Sequence, residues 1–180
     1  MKQIIQMGDP ILETPTQDIK DPMSSEVTEI IQELFETIES KIDHAAGLAA
    51  PQIGYDKRIT VLRRFDLEES KPKEMIWEVV INPKITYKSE EKSVEWEGCL
   101  SIKQGDLFGK VERPMEVEVE YFDVNGKKKK VKVRGYQSHV FQHEIDHLDG
   151  KLFLSYVKDP EELYTAAELK KRDRDEAKDI

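Results

Sequence analysis

The sequence predicts an α+β fold: strands in runs between an early helix and a late one, with a buried helix before the chain's last part. Three observations carry this. Strand-like segments come in runs, at 58–64, 77–87, 94–96, 115–122 and 127–133, without a helix between each pair, which excludes a regularly alternating parallel sheet. Helical patterning is confined to an early stretch, from Val27 to Ile42, and to the last part of the chain. Between them, a mostly apolar segment beginning near Tyr136 carries His143, Glu144, Asp146 and His147, the mark of a buried helix whose polar groups need partners.

At 180 residues the chain suits one domain, 1–180, with 160–180 as a peripheral helix. Hydrophobic residues make up 38% and charged residues 36%, the balance of an acidic globular protein. The net charge of −9 argues against a general affinity for DNA or a membrane surface. No apolar run is long enough to span a bilayer, and Met1-Lys2-Gln3-Ile4-Ile5-Gln6 lacks the apolar core and cleavage site of a signal peptide. The single cysteine, Cys99, precludes an internal disulfide, so a cytoplasmic, reducing setting is expected.

Residues 1–20 read as an extended arm with turns at Asp9-Pro10 and Thr14-Pro15. Asp21-Pro22 has the form of an N-cap followed by a proline at the first helical position. Val27, Ile30, Ile31, Leu34, Phe35, Ile38 and Ile42 follow at helical spacing, and this helix is expected to end near His44. The stretch 47–54 is small, nearly uncharged and bounded by glycines. It is either a tight connection into the strand at 58–64 or a place where backbone closely approaches another group. Residues 66–73 read as a charged surface loop. β-branched and aromatic residues mark the strands at 77–87 and 94–96, with Asn82-Pro83 predicting a bulge or an edge position. Val117, Val119 and Tyr121 alternate with Glu116, Glu118 and Glu120 as in a half-buried strand, and Asn125-Gly126 is a favoured hairpin pair. Cross-strand pairing with those glutamates explains the lysines at 127–130 better than nucleic acid does. After Gly150, Leu152-Phe153-Leu154 leads to Asp159-Pro160, a second cap-and-proline start, and a charged helix over 160–175.

The chemistry is concentrated in Gln142-His143-Glu144-Ile145-Asp146-His147. On a helix, residues four apart share a face, so His143 and His147 can point at one ion. Glu144 lies off that line, close enough to handle a proton without filling a coordination position. This is the spacing of a helical zinc-type site with a carboxylate as general base. Two exposed histidines on a charged helix would satisfy the same pattern, but the apolar neighbours Val140, Phe141, Ile145 and Leu148 favour burial. The site is then one ligand short, because a catalytic ion usually takes three protein ligands and a water. Glu161 or Glu162 could supply a carboxylate, as in a zinc endopeptidase. Cys99 could instead supply a thiolate from Glu97-Gly98-Cys99-Leu100-Ser101, an unusual setting for a cysteine that only fills core.

Three segments together resemble the peptide deformylase family: GLAAPQIG at 47–54, EGCLS at 97–101 and QHEIDHLDG at 142–150. They stand in the family's order, and the resemblance covers nearly the whole chain. It implies antiparallel sheets around a central metal-binding helix, with one divalent ion held by Cys99, His143 and His147 and a water in the fourth position. Fe(2+) is the ion expected natively, with Zn(2+), Ni(2+) or Co(2+) able to take the site, since thiolate and imidazole donors do not choose among them. The implied reaction is hydrolysis of the N-formyl group from the starting methionine of newly synthesised proteins, releasing formate. Glu144 would move the proton, and the Gln52 side chain and the Leu100 backbone N–H would donate to the formyl oxygen as it gains charge. Gly47 would offer its backbone to an extended substrate. Glu97, Tyr136, His139 and Val140 fall on the substrate side, while Glu97 and Gln142 are also expected to hold the ligands in place. The implied partners are N-formylmethionyl nascent peptides and, transiently, the ribosome. Lys170, Lys171, Arg172, Arg174 and Lys178 could meet ribosomal RNA, although interleaved acids favour a solvated surface helix.

The sequence departs from the family pattern in four places. Ala45 replaces the first glycine of the Gly-rich motif, and Lys103 replaces the proline that commonly follows the Cys motif. Tyr136 and His139 stand where pocket-lining residues are commonly aliphatic, which predicts a more polar pocket and a relaxed preference for methionine. For His139 a pocket or surface role fits better than that of a fourth ligand, and His44 reads as structural or exposed. Two rivals stand beside deformylation: a zinc endopeptidase using Glu161 or Glu162, and a catalytically idle relative that binds N-terminal peptides. Intact Glu144 and Gln52 argue against the second.

Overall fold

The computed structural model describes residues 1–40, 45–68 and 75–176, with side chains described as far as residue 172. Ile42, His44, most of the expected loop at 66–73, Lys178 and the side chain of Arg174 lie outside the described residues. In chain order the elements are α1 (Ser25–Glu39), β1 (Gly47–Ala49), β2 (Ile59–Arg63), the single turn α2 (Phe65–Glu68), β3 (Trp77–Lys88), β4 (Lys92–Gly98), β5 (Phe108–Pro114), β6 (Glu116–Phe122), β7 (Lys128–Arg134), α3 (Tyr136–Leu148), β8 (Leu163–Tyr164) and α4 (Ala166–Glu176). They form one five-stranded sheet, β1-β2-β3-β6-β7, and one three-stranded sheet, β4-β5-β8, with every strand pair antiparallel.

α3 packs on β1 and β2 of the first sheet and on β5 of the second, which makes it the central helix of an α+β fold. On its far side, Val140, Phe141 and Ile145 join Val117, Val119 and Tyr121 in a common core. α1 covers the same sheet from the other direction, burying Val27, Ile30, Ile31, Leu34 and Ile38 against β1 to β3. A third apolar cluster, Ile102, Val111 and Phe153, surrounds Cys99. Among the described residues, β1 and β4 each end their sheet, so both leave one edge unpaired.

Several local expectations are corrected. α1 starts at Ser25, because the Ser24 hydroxyl accepts the Val27 N–H, whereas the Asp21 carboxylate closes a separate turn onto the Met23 N–H. The amino-terminal arm contains a 3-10 turn, Pro10–Glu13, capped by Asp9. The stretch 47–54 is β1 followed by the 3-10 turn Ala50–Ile53, not a plain connection, and at Gly47 its backbone closely approaches the Glu144 side chain. Asn82-Pro83 is a bulge in a central strand and not an edge. The pairing with β6 jumps between Ile81 and Lys84, and the Asn82 side chain bonds both backbone groups of Ile19 at 2.8 Å. β5 was not anticipated, since its inward positions are Gly109, Val111 and Arg113, only one of them a β-branched residue. The terminal helix begins at Ala166, after a 3-10 turn at Pro160–Glu162 and the short β8.

The hairpin of β6 and β7 pairs its charges as expected, with Lys128–Glu120, Lys130–Glu118 and Lys132–Glu116 each at 2.8 Å. No described helix is long and apolar enough to cross a membrane.

Candidate metal centre

The depth of α3 between the sheets is fixed by polar groups on its own first turns. The Gln142 amide donates to the Pro114 carbonyl at 2.9 Å and to Ser138, tying α3 to the end of β5 without touching the metal ligands. This presents His143 and His147 to Cys99, which directly follows β4. One donor atom from each of the three lies within 4.8 Å of the others. Cys99 Sγ is 3.2 Å from His147 Nε2. Burial alone would push the Cys99 thiol up, but the imidazoles of His147 and His143 outweigh it and hold it at about 5. A thiolate at neutral pH with two converging imidazoles is a donor set suited to a divalent transition ion. The two rings are held differently. His143 Nδ1 is 2.9 Å from Glu97 Oε2 and its ring stacks on Phe153, whereas among the described residues His147 Nδ1 has no hydrogen-bond partner.

Behind His143 lies a buried ionic network. Arg113 donates to Glu97 Oε1 at 2.6 Å and Oε2 at 3.0 Å, and to Asp146 Oδ2 at 2.6 Å; the Asp146 carboxylate also accepts from Tyr156. Burial would raise the Glu97 carboxyl, but hydrogen bonds from His139, His143 and Arg113 hold it well below the usual carboxylate range. Glu97 lines the cavity, and its carboxylate is engaged in holding His143 and Arg113. His139 also lines the cavity and is buried, with Nδ1 on Glu97 at 3.0 Å and Nε2 on Ser93 at 2.9 Å. Both ring nitrogens are engaged, so it offers the cavity ring carbon and not a free polar atom or a fourth ligand. Arg113 escaped the sequence reading because nothing around it forms a motif.

On the other side of the ligands, the Glu144 carboxylate is buried, accepts from Thr60 Oγ1 at 3.0 Å, and packs onto Gly47 so closely that a Cβ there would stand 2.4 Å from Oε1. Burial raises its pKa, with the His143 and His147 rings partly offsetting that. Thr60 was also missed; it sits within an otherwise ordinary apolar strand. Gln52 is buried, its Oε1 accepting the Ala49 N–H at 2.8 Å and its Nε2 donating to Ser101 Oγ at 3.0 Å, 3.6 Å from Cys99 Sγ. Among the described residues, the Leu100 N–H has no acceptor, while its carbonyl accepts from Gln6.

These groups line a cavity of about 470 Å³ between the free edges of β1 and β4. Val140 and the half-exposed Tyr136 line one side, Tyr136 resting edge-on against Phe65 at 5.2 Å. Ala45 is buried at the wall. The turn after the Cys motif forms the outer part. Lys103 and Gln104 have φ of +48° and +56°, a left-handed backbone in which a proline, fixed near −65°, could not stand. Glu161 and Glu162 do not line the cavity, and Glu162 pairs instead with Lys110 at 3.2 Å.

Fold and site together define a hydrolase class in which one metal ion is held by Cys, His and His beside a buried carboxylate. The sequence model of the polypeptide deformylase family matches residues 1–162. A peptide deformylase of Finegoldia magna is 40% identical over 158 residues, 87% of this chain and 90% of that protein, and one of Rhizobium meliloti is 40% identical over 161 residues, 87% and 85%. Among solved structures, a probable peptide deformylase from synechococcus phage S-SSM7 superposes with a TM-score of 0.75 at 36% identity, covering 87% of this chain and 99% of that one. The peptide deformylase of Ehrlichia chaffeensis in complex with actinonin gives 0.77 at 33% identity, covering 88% and 90%. The chain belongs to the polypeptide deformylase family, metal-dependent enzymes that remove the N-formyl group from newly made proteins.

Proposed function

We propose that this chain deformylates N-formylmethionyl nascent peptides in the cytoplasm, as one catalytic domain with ferrous iron as its native ion held by Cys99, His143 and His147. The observation that carries the reading is the convergence of these three donors within 4.8 Å, beside the Glu144 carboxylate, at the inner end of a cavity between two free strand edges. When bound, the ion supplies Lewis acidity and lowers the pKa of water to about 7. Glu144, its affinity for protons raised by burial, takes a proton from the attacking water and returns it to the departing amine, leaving formate and a free N-terminus. Thr60 and Gly47 fix where that carboxylate lies. The charge that grows on the formyl oxygen is met by the Gln52 amide, anchored through its own oxygen to Ala49, and by the unengaged Leu100 N–H. The open edge of β1 at Gly47 receives the peptide as an added strand. Glu97 and Arg113 keep the His143 ring in register.

The test is formate release from formyl-Met-Ala-Ser by protein purified without oxygen and loaded with iron or nickel. Rapid release is expected. No release from folded, metal-loaded protein would overturn the proposal and shift the assignment to another acylated substrate or to a binding-only role. Because substrates emerge on ribosomes, transient ribosome contact through α4 belongs to this proposal. Deletion of 166–180 should lower co-sedimentation, and unchanged binding would remove α4 from that role.

A further inference from the structure

The family match ends at residue 162, yet the cavity wall continues beyond it, because Ala166 and Lys170 of α4 line the same space as the metal ligands. Three attachments hold the segment there. β8 pairs with β5, Tyr164 opposite Phe108 and Leu163 opposite Gly109. The Tyr164 ring meets the cavity residue Trp96 edge-on at 5.7 Å. The Asp106 carboxylate accepts the Ala166 N–H at 3.1 Å, satisfying an amide that the first turn of a helix leaves open.

Among the described residues, the charges along this wall do not balance. Lys171 is paired with Glu168 at 2.6 Å, Arg172 lies 4.6 Å over the Tyr164 ring, and Lys103 is 3.3 Å from Asp106. The carboxylates that line the cavity are also engaged: Asp106 by Lys103 and the Ala166 amide, Glu97 by Arg113, and Glu144 by Thr60 at the buried inner end. Lys170 is exposed and, among the described residues, has no ion-pair partner. Among the described residues it is an unbalanced cation on the cavity of a chain whose net charge is −9.

We propose that α4 is a specificity element of the substrate cavity and Lys170 its charge selector, favouring peptides with an acidic side chain among the residues that follow the formylated methionine. This rests on the deformylase reading above. The experiment compares kcat/KM for C-terminally amidated formyl-Met-Ala-Ser, formyl-Met-Asp-Ser, formyl-Met-Lys-Ser, formyl-Met-Ala-Asp and formyl-Met-Ala-Lys in the wild type, Lys170→Ala and Lys170→Glu. At one of the two positions the wild type should favour the acidic over the basic peptide by about two- to fivefold, the range of an exposed ion pair. The ratio should approach one in Lys170→Ala, reverse in Lys170→Glu and collapse in high salt. An acid-to-base ratio equal in all three proteins would overturn the proposal. If the neutral peptide releases no formate, the underlying reading fails instead. Calorimetric affinities for unformylated Met-Asp-Ser and Met-Lys-Ser amides, and for Met-Ala-Asp and Met-Ala-Lys amides, then decide the charge question. Equal affinities within both pairs across the three proteins would sink it.

Discussion

The two walls of the cavity are built on different physical terms. The inner wall, made by β1, the end of β4 and α3, is a set of buried groups whose side-chain polar atoms are mostly fixed by other protein atoms: Glu97 by Arg113, Glu144 by Thr60, Gln52 by Ala49 and Ser101. The outer wall, made by the turn at 103–106, β8 and α4, is tied to the rest of the fold by a two-residue strand pairing, a ring contact, a carboxylate-to-amide bond and the Gln104 N–H on Gln6 Oε1, and its side chains are exposed or half-buried. A reaction that depends on angstrom-scale placement needs the first kind of wall. Selection among peptides needs only the second, and tolerates its movement.

The difference can be broken most severely at the ligands. Cys99→Ala should strip the protein of metal and of turnover, measured by metal analysis and formate release. Retained metal would hand the third-ligand role to another group. Glu144→Ala should abolish turnover while leaving metal content near wild type, and unchanged turnover would remove Glu144 from the mechanism. One shell further out, Arg113→Met strands a buried carboxylate and should cost about 3–5 kcal/mol in urea unfolding. A cost below about 1 kcal/mol would mean that water reaches Glu97.

The same network has a pH signature. Glu97 is held below its ordinary range in the folded state, so its contribution is fully present above about pH 4.3 and is lost progressively as pH falls through the folded value. Stability of the wild type should therefore fall more steeply below about pH 4 than that of Arg113→Met. Parallel acid limbs would show that Arg113 is not what depresses Glu97. Gly47→Ala is subtler: a methyl group in the place now occupied by the Glu144 carboxylate should lower kcat by about 10²-fold, as a 1 Å misplacement does, with metal content retained. The smallest effect belongs to the outer wall. Asp106→Ala should cost about 1 kcal/mol or less and act locally, so that amides of α4 exchange faster while those of α3 do not. Faster exchange in both helices would show that the two walls are one cooperative unit.

The inner wall was legible in the sequence because its requirements are local. A helical i, i+4 pair, a glycine before a cysteine and a glycine-bounded stretch each state their chemistry within a few residues. The outer wall was not. Pro160 and Asp159 look like a helix start, but the chain first makes a 3-10 turn and pairs Leu163 and Tyr164 with β5, a contact about 55 residues distant in sequence that no periodicity announces. Asp21-Pro22 failed for a related reason: Ser24 offered a competing cap three residues later. Arg113 and Thr60, which hold Glu97 and Glu144, were invisible because their partners come from other elements. His139 illustrates the limit for single residues. Its identity suggested a polar pocket, whereas its two partners make it part of the frame.

The left-handed turn at Lys103 and Gln104 bears on selective inhibition. Compounds that engage only the ion and the groups beside it would meet the features this chain shares with its family. A compound that reaches past them to Gln104 and Gly105 would meet a backbone path closed to relatives carrying proline at that point. Discrimination between this enzyme and such relatives is therefore to be sought in the arm of an inhibitor that extends away from the metal, not in its metal-binding head.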